Sequence, residues 1–140
     1  MALDSYGFTK VLAREECLAL LRGHGFLARI AFADEAGPQI RPVNYVADPE
    51  REVVVFCTAA TSTLGRLAEG TRVVVEVDET RPLYNAGWSV IVQGPLRRVE
   101  DPTEVRRLAG GPLRSWAEPS SPVWVEVPIE EITGRRIPET

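Results

Sequence analysis

The stretch Arg41-Pro-Val-Asn-Tyr45 predicts a β-strand on which the arginine shares one face with the valine and the tyrosine, because side chains alternate between the two faces of a strand. Further along the chain, Phe56-Cys-Thr-Ala-Ala-Thr-Ser-Thr-Leu-Gly-Arg-Leu67 predicts a second strand that runs into a polar turn and a short helix. The first element offers a fixed cation, and the second offers hydroxyl groups and free backbone N–H groups at a helix start. Together they predict a cradle for a phosphate group.

Each half of this predicted cradle also has an ordinary structural explanation. Arg41 needs no special role as a surface arginine, and one hydroxyl residue would be present simply to cap a helix over 63–69. The hydroxyl residues of the turn are Thr58, Thr61, Ser62 and Thr63. The two explanations are compatible, because a helix start that needs a cap also attracts anions. The cradle is a hypothesis at this point, and on a chain rich in strands it indicates a flavin nucleotide.

The composition is that of an acidic globular protein. The 140 residues carry a net charge of −4, which argues against a general nucleic-acid binder, since such proteins carry a basic stripe. A hydrophobic content of 44% is ordinary for a globular domain, and the length predicts a single domain over residues 1–140. No apolar run approaches a membrane span, and the N-terminus lacks the pattern of a secretory signal. We therefore expect a cytoplasmic protein without membrane contact.

No residue pattern indicates a metal site or catalysis by the side chains alone. Cys17 and Cys57 lack the spacing of a metal site or a redox pair, and each continues an apolar face, so we expect both to be buried. Lys10 is the only lysine, so no other residue can form a lysine Schiff base. Motifs for zinc, nucleoside triphosphates and dinucleotides are missing from the sequence. An enzymatic activity would therefore depend on a bound cofactor.

Hydrophobic periodicity and turn residues predict a β-rich chain with three short helices. The helices are predicted over 12–22, 63–69 and 102–109, the last with Asp101 as its N-cap. Six strands are predicted, over 26–33, 40–47, 52–57, 72–78, 88–100 and 123–129. The fifth of them is predicted to bend at Gly94-Pro95. Their hairpin-length turns predict an antiparallel barrel. The segments 79–87 and 110–122 are predicted loops that would select a substrate.

Five segments, in this order and spacing, resemble one known family. They are Arg-Glu-Glu-Cys-Leu-Ala-Leu-Leu at 14–21, Arg-Pro-Val-Asn-Tyr-Val at 41–46, Phe-Cys-Thr-Ala at 56–59 with Ser62, Gly-Trp-Ser-Val-Ile-Val-Gln-Gly at 87–94, and Ile-Thr-Gly-Arg-Arg-Ile at 132–137. The chain resembles the pyridoxamine 5′-phosphate oxidase-like flavin-binding split barrels, in their short single-domain bacterial branch. The resemblance runs from Leu12 to Ile137 and is more specific for the fold than for the activity.

The resemblance implies a mainly β fold, a six-stranded antiparallel split β-barrel with a few short helices. It implies a homodimer with two FMN molecules in clefts at the interface. In such a dimer the phosphate is held by the arginine-bearing strand and the strand-to-helix turn, the flavin ring runs along the backbone of 43–45 and of Thr58, and the 88–89 pair lies near the cofactor from either subunit. The implied cofactor-binding residues are Arg41, Val43, Asn44, Tyr45, Thr58, Ala59, Ser62, Thr63, Trp88 and Ser89.

Two positions depart from the family pattern. Relatives usually carry a basic residue where this chain has Thr63, and they often cap the first helix with Ser or Thr where this chain has Ala13. The missing cap is worth about 1 kcal/mol. The missing charge removes a phosphate contact worth about 1.5–3 kcal/mol.

The resemblance and its departures leave two hypotheses about function. One is an FMN-dependent oxidoreductase that moves a hydride between a reduced nicotinamide and an unknown small molecule. The alternative is a non-catalytic dimer that binds haem, a deazaflavin or another ligand and has lost flavin chemistry. Arg41 with Ser62 favours the first hypothesis, and Thr63 favours the second. The single lysine disfavours the polyanionic tail of a deazaflavin.

Overall fold

Two antiparallel sheets form the body of the protein in a computed structural model that describes residues 9–24, 26–113 and 121–137. The strands are β1 Lys10–Val11, β2 Leu27–Asp34, β3 Gly37–Asn44, β4 Val46–Asp48, β5 Val53–Ala59, β6 Arg72–Arg81, β7 Ala86–Pro95, β8 Arg97–Arg98, β9 Pro122–Pro128 and β10 Glu131–Ile137, and the helices are α1 Arg14–His24 and α2 Pro102–Ala109. The first sheet has the strand order β1-β10-β7-β6-β2-β3, and the second has the order β4-β5-β9-β8. The predicted mainly β, antiparallel architecture is confirmed.

The chain passes between the two sheets at buried bends. Tyr45 separates β3 from β4 and Leu96 separates β7 from β8, and neither side chain is exposed to solvent. Gly94 lies just before the second bend, where a Cβ atom would collide with the carbonyl oxygen of Pro128. The bend predicted at Gly94-Pro95 is therefore the point at which β7 crosses closely over the end of β9. Such bends let one strand serve two sheets around a common interior.

Helix α1 closes one side of this interior. It begins at Arg14, two residues later than predicted, and the carboxylate of Glu16 accepts a hydrogen bond of 3.2 Å from the backbone N–H of Ala13. This back-bond is one half of a capping box, and the other half, a side-chain bond from position 13 to the N–H of Glu16, is one that Ala13 cannot make. The Tyr45 hydroxyl donates to the carbonyl oxygen of Leu21 at 2.7 Å, which satisfies a carbonyl in the last turns of the helix. Burial raises the pKa of Tyr45 to about 12.

Helix α2 covers the outer face of the second sheet. It spans Pro102–Ala109 as predicted, and the Asp101 carboxylate accepts from the backbone N–H of Thr103 at 3.0 Å. The apolar cluster beneath it contains Val53, Val55, Cys57, Leu108, Leu113 and Trp124. Strand β5 is thus buried on both faces, as its run of valines indicates. Neither α-helix in the described ranges is long and apolar enough to cross a membrane.

Three predictions about individual elements were wrong, one of them the loop over 79–87, within which β6 continues to Arg81 and β7 begins at Ala86. The segment 63–69 is not a helix: one α-turn, closed by the Arg66 N–H to the Ser62 carbonyl at 3.1 Å, is followed by a tighter turn. The Arg98 guanidinium donates to the carbonyl oxygens of Gly65 and Leu67, which a longer helix would use for its own ladder. Strand β10 was also missed, because the residues on its interior face, Ile132, Gly134 and Arg136, include only one apolar side chain, so the segment has no apolar period.

The two cysteines are buried, as predicted. Cys17 lies in the interior cluster and Cys57 in the cluster under α2, and burial raises the pKa of both thiols. Trp116, in the predicted loop 110–122, lies outside the described residues.

Candidate functional site

The turn that follows β5 is held together by the hydroxyl of Ser62. Its Oγ donates to the Ala59 carbonyl at 2.8 Å and accepts from the Gly65 backbone N–H at 2.9 Å. The Thr58 hydroxyl lies 2.9 Å from the same oxygen. A hydroxyl offers one donor and two acceptor sites, so these three bonds use its full capacity. Ser62 therefore caps the turn, as the structural explanation holds, and has no bonding capacity left for a ligand in this arrangement.

The same turn presents backbone donors that its own structure does not use. The N–H groups of Thr61, Thr63 and Leu64 make no hydrogen bond to any residue in the described ranges. Successive backbone N–H groups in a turn form a concave site for an anion, and Thr63 and Leu64 supply two such groups here, since the Ser62 N–H is bonded to Ala59. Gly65 packs so closely that a Cβ atom there would collide with the Ala59 carbonyl oxygen, so the shape of this N–H cluster depends on that glycine.

Arg41 lies on β3, half-buried and without an acidic partner among the residues described. Its Nη1 donates to the neighbouring carbonyl oxygen of Ile40 at 2.8 Å, and its guanidinium lies 6.0 Å from the centre of the Phe32 ring. Strand β3 also contacts β5, the strand that leads into the turn. Arg41 is therefore a cation without a counter-charge among the described residues. Its strand, β3, contacts β5, which leads into the turn with the unused N–H groups.

The residues that follow Arg41 offer backbone rather than side chains. Val43 is buried, and Tyr45 is fully buried with its hydroxyl bonded to helix α1. Asn44 is half-buried and already has an interaction partner. A flat ring beside this segment would therefore contact the backbone, in the way that the family resemblance implies.

Trp88 and Ser89 lie elsewhere and face opposite sides of β7. The Trp88 side chain packs against the interior cluster and lines a cavity of about 500 Å³, whereas Ser89 lines an outer groove of about 260 Å³ with Val11 and Ile91. Strands β6 and β2 separate β7 from β3, which amounts to about 14 Å measured across the sheet. Along the sheet, one protomer does not bring this pair beside Arg41.

A cavity of about 590 Å³ opens directly after the segment 43–45. It lies between β4, the turn that follows it, β5 and helix α2. Its apolar side includes Val46, Val55 and Leu108, and its charged lining contains the cations Arg51 and Arg107 and the acids Asp48, Glu50 and Glu104. The volume suits a small molecule. The sequence indicated only the part of its lining that belongs to the 110–122 loop, because the rest comes from elements that meet only in the folded chain.

The outer face of the first sheet carries a charged cluster that the sequence analysis missed. Arg29 Nη1 lies 3.1 Å from Glu76 Oε1 and 3.3 Å from Asp78 Oδ1. Desolvation, together with the hydrogen bond and the charge of Asp78, raises the pKa of Glu76 to about 7, although Arg29 opposes the shift. The sequence did contain a sign of this cluster, since Glu76 and Asp78 alternate with the valines at 75 and 77 and so share the opposite, outer face of β6.

We predict that Glu76 makes the protein more stable in mild acid. Because its pKa is raised from 4.5 to about 7, its contribution is fully present below the lower value and is lost as the pH rises through 7. Between pH 5.5 and 8.5 the loss should be about 1 kcal/mol after allowance for solvent screening. Urea titrations across this range measure it, and Glu76→Gln should remove that component while Glu50→Gln, an exposed control, retains it. An unchanged pH profile in Glu76→Gln contradicts the assignment.

Comparisons with known proteins converge on one family. The family model described as pyridoxamine 5′-phosphate oxidase matches residues 13–136. An uncharacterised protein of Mycobacterium tuberculosis is 35% identical over 131 residues, which is 90% of this chain and 84% of that protein. The structure of an FAD-binding protein from Mycobacterium smegmatis is 31% identical, with a TM-score of 0.77 over 94% of this chain and 100% of that chain.

The fold extends to more distant structures. An FAD- and haem-binding protein from Mycobacterium smegmatis shares 16% identity, with a TM-score of 0.67 over 91% of this chain and 72% of that chain. At this identity the likeness concerns the fold alone. The split-barrel architecture implied by the sequence resemblance is thus confirmed.

Proposed function

Because this chain belongs to the pyridoxamine 5′-phosphate oxidase family, we propose that it binds a flavin and acts as a flavin-dependent oxidoreductase. The observation that carries the proposal is that Arg41, a half-buried cation without an acidic partner among the described residues, lies on a strand in contact with β5, which leads into the turn with unused N–H groups. FMN is the ligand that this donor set fits first, because its terminal phosphate can meet one guanidinium and several N–H groups at once.

The protein's own residues would bind and orient the flavin. The guanidinium of Arg41 and the N–H groups of Thr61, Thr63 and Leu64 hold the phosphate. The backbone of 43–45 and of 58–59 lies along the ring, and the Ser62 hydroxyl keeps the turn in shape. A bound flavin supplies hydride transfer, here between a reduced nicotinamide and a small molecule. This chemistry agrees with the cytoplasmic location expected from the sequence.

The proposed site is completed by a second copy of the chain. Within the described ranges no helix covers the outer face of the first sheet, where Ile40, Val11 and Ile91 are 60%, 46% and 37% exposed. A sheet face of this kind is normally buried against another layer, and twofold dimers are the commonest assembly. Ser89 lies on this face, so a dimer would carry the 88–89 pair towards the partner's flavin. Sedimentation of a monomer at micromolar concentration would remove this part of the proposal.

The 590 Å³ cavity is our candidate for the substrate. It begins at Val46, directly after the backbone proposed to contact the ring, and Arg51 and Arg107 give its rim donors for a polar or anionic group. Both arginines are engaged with acidic residues: Arg51 lies 2.9 Å from Glu126, and Arg107 pairs with Glu104. A substrate would therefore exchange partners with these pairs.

A second candidate function follows from Thr63. With a threonine in place of the usual basic residue, the cradle carries one charge fewer than in relatives, which favours a ligand with less charge on each phosphate. FAD meets this condition, since each phosphorus of its diphosphate carries a single charge. Haem and a deazaflavin are further alternatives, in a dimer that binds its ligand without flavin chemistry.

We predict that FMN stabilises the purified protein. At one hundred times its dissociation constant, a ligand that binds only the folded state contributes about 2.7 kcal/mol, so the melting temperature should rise by several degrees. Parallel melts with FMN, FAD and haem identify the preferred ligand. The visible spectrum of the protein as purified distinguishes bound flavin from haem. If millimolar FMN and FAD both leave the melting temperature unchanged, the flavoprotein proposal is wrong.

A further inference from the structure

We propose that the 500 Å³ cavity beside Trp88 is a second binding site, for a planar aromatic molecule that carries one negative charge. The cavity lies at the end of the β6–β7 hairpin, between that hairpin, β10 and helix α1. Leu20 and Trp88 form its apolar walls, and Arg81 and Arg136 supply its cations. Its volume is within the range of small-molecule sites.

Arg136 is the residue that indicates an anionic ligand. Three arginines of the described ranges are half-buried: Arg41, Arg98 and Arg136. Arg98 donates to the carbonyl oxygens of the turn after β5, and Arg41 donates to Ile40. The Arg136 side chain makes no hydrogen bond or ion pair with any described residue. A partly desolvated guanidinium without a counter-charge is stabilised by an anionic ligand.

The strand register places an aromatic surface next to this cation. Trp88 pairs directly with Arg136 on one side and with Glu79 on the other, so the three side chains share one face of the sheet. Glu79 Oε1 lies 3.7 Å from Arg81 Nε. The carboxylate of Glu79 is therefore directed towards Arg81 and not towards Arg136. An apolar ring and a free cation in one cavity select a ligand with a flat body and an anionic group.

This site is separate from the proposed flavin site. Trp88 and Ser89 face opposite sides of β7, so the inference assigns the Trp88 side chain to the second ligand and leaves Ser89 and the backbone of the pair to the flavin. The test therefore needs no bound flavin, and its outcome does not depend on the flavoprotein proposal.

The experiment compares 2-naphthoate with its neutral isostere 2-naphthamide by calorimetric titration of the full chain. We expect naphthoate to bind at least tenfold more tightly than naphthamide. Arg136→Gln should weaken naphthoate about tenfold or more, as loss of a charge-assisted contact does, and leave naphthamide unchanged. Trp88→Leu should weaken both probes by similar factors, and Trp88→Phe should retain most of the binding of both.

Arg135→Gln is the matched control, because Arg135 is an exposed neighbour on the opposite face of the same strand. It removes the same charge and should leave naphthoate binding unchanged. Equal losses of naphthoate affinity in Arg135→Gln and Arg136→Gln would show that only the net charge of the protein matters. That result would overturn the proposal. So would equal affinity of the wild-type protein for the two probes, or competition between naphthoate and FMN. Each variant is first checked for an unchanged melting temperature. If Arg136→Gln alters the fold, Arg136→Lys replaces it as the test variant. Because Arg136→Lys keeps the charge, it should retain part of the wild-type affinity for naphthoate.

Discussion

Gly94→Ala should lower the free energy of unfolding by about 3 kcal/mol or more. A Cβ atom at this position would collide with the backbone carbonyl oxygen of Pro128 and approach Val127 Cγ1 to 3.2 Å. Overpacking in a well-packed core costs about 1–3 kcal/mol, and here the obstructing atom is backbone, which cannot rotate away. The strain falls on the crossing of β7 and β9, through which the two sheets are held together. Urea unfolding of wild type and variant at equal protein concentration measures the loss.

Gly23→Ala is the matched control for this prediction. Gly23 lies in helix α1, and nothing lies within 4 Å of the position a Cβ would occupy. The same one-carbon addition should therefore be neutral or stabilise the protein by about 0.5–1 kcal/mol, because alanine is the better helix former. If Gly94→Ala changes stability no more than Gly23→Ala does, the close crossing of the two strands does not exist in solution.

Much of the fold could be predicted because the hydrophobic period and the turn and capping residues indicate the same elements along most of the chain. Helix α2 was predicted to the residue, since Asp101, Pro102 and the apolar spacing all point to the same start. The bend at Gly94 was predicted from the same kind of local cue. The strands that failed are those without an apolar period: β10 turns Gly134 inwards where a hydrophobic residue would be expected, because Cys17 of helix α1 occupies that space.

The wrong helix over 63–69 has a different cause. Local propensity favours a helical turn there, and one turn does form around Ser62. In place of a continued helix, a residue distant in sequence, Arg98, donates from its guanidinium to the carbonyl oxygens of Gly65 and Leu67. Tertiary contacts of this kind override propensity, and no inspection of the segment alone would find them.

The candidate site also has a part that local sequence predicts and a part that depends on contacts between distant residues. Arg41 and the Thr/Ser turn were identified from local sequence, since a cation on a strand and a polar turn can be seen in the sequence. The donors that remain in the turn are its N–H groups, however, and the Ser62 hydroxyl serves the structure. The Trp88 cavity and the Glu76 cluster depend on cross-strand pairing, which a single sequence does not reveal.

The last prediction tests the phosphate cradle itself. Arg41→Ala should weaken FMN about ten- to hundredfold, because it removes a charge-assisted contact worth about 1.5–3 kcal/mol. Riboflavin, which lacks the phosphate, should bind both proteins almost equally. Thr63→Lys should tighten FMN selectively, since it adds the charge that the family resemblance implies at this position. That gain should shrink as the salt concentration rises.

The selectivity separates a phosphate ligand from a structural arginine. Arg106→Ala, which removes an exposed arginine on helix α2, should leave both flavins unchanged and so controls for net charge. Fluorescence titration of FMN and riboflavin against the wild-type protein and each variant gives the affinities that are needed. If Arg41→Ala weakens the two flavins equally, Arg41 acts through the fold, for example by its position over the Phe32 ring. The turn after β5 would then have to hold the phosphate with neutral donors alone, and such a site would favour a diphosphate such as that of FAD over the dianionic phosphate of FMN.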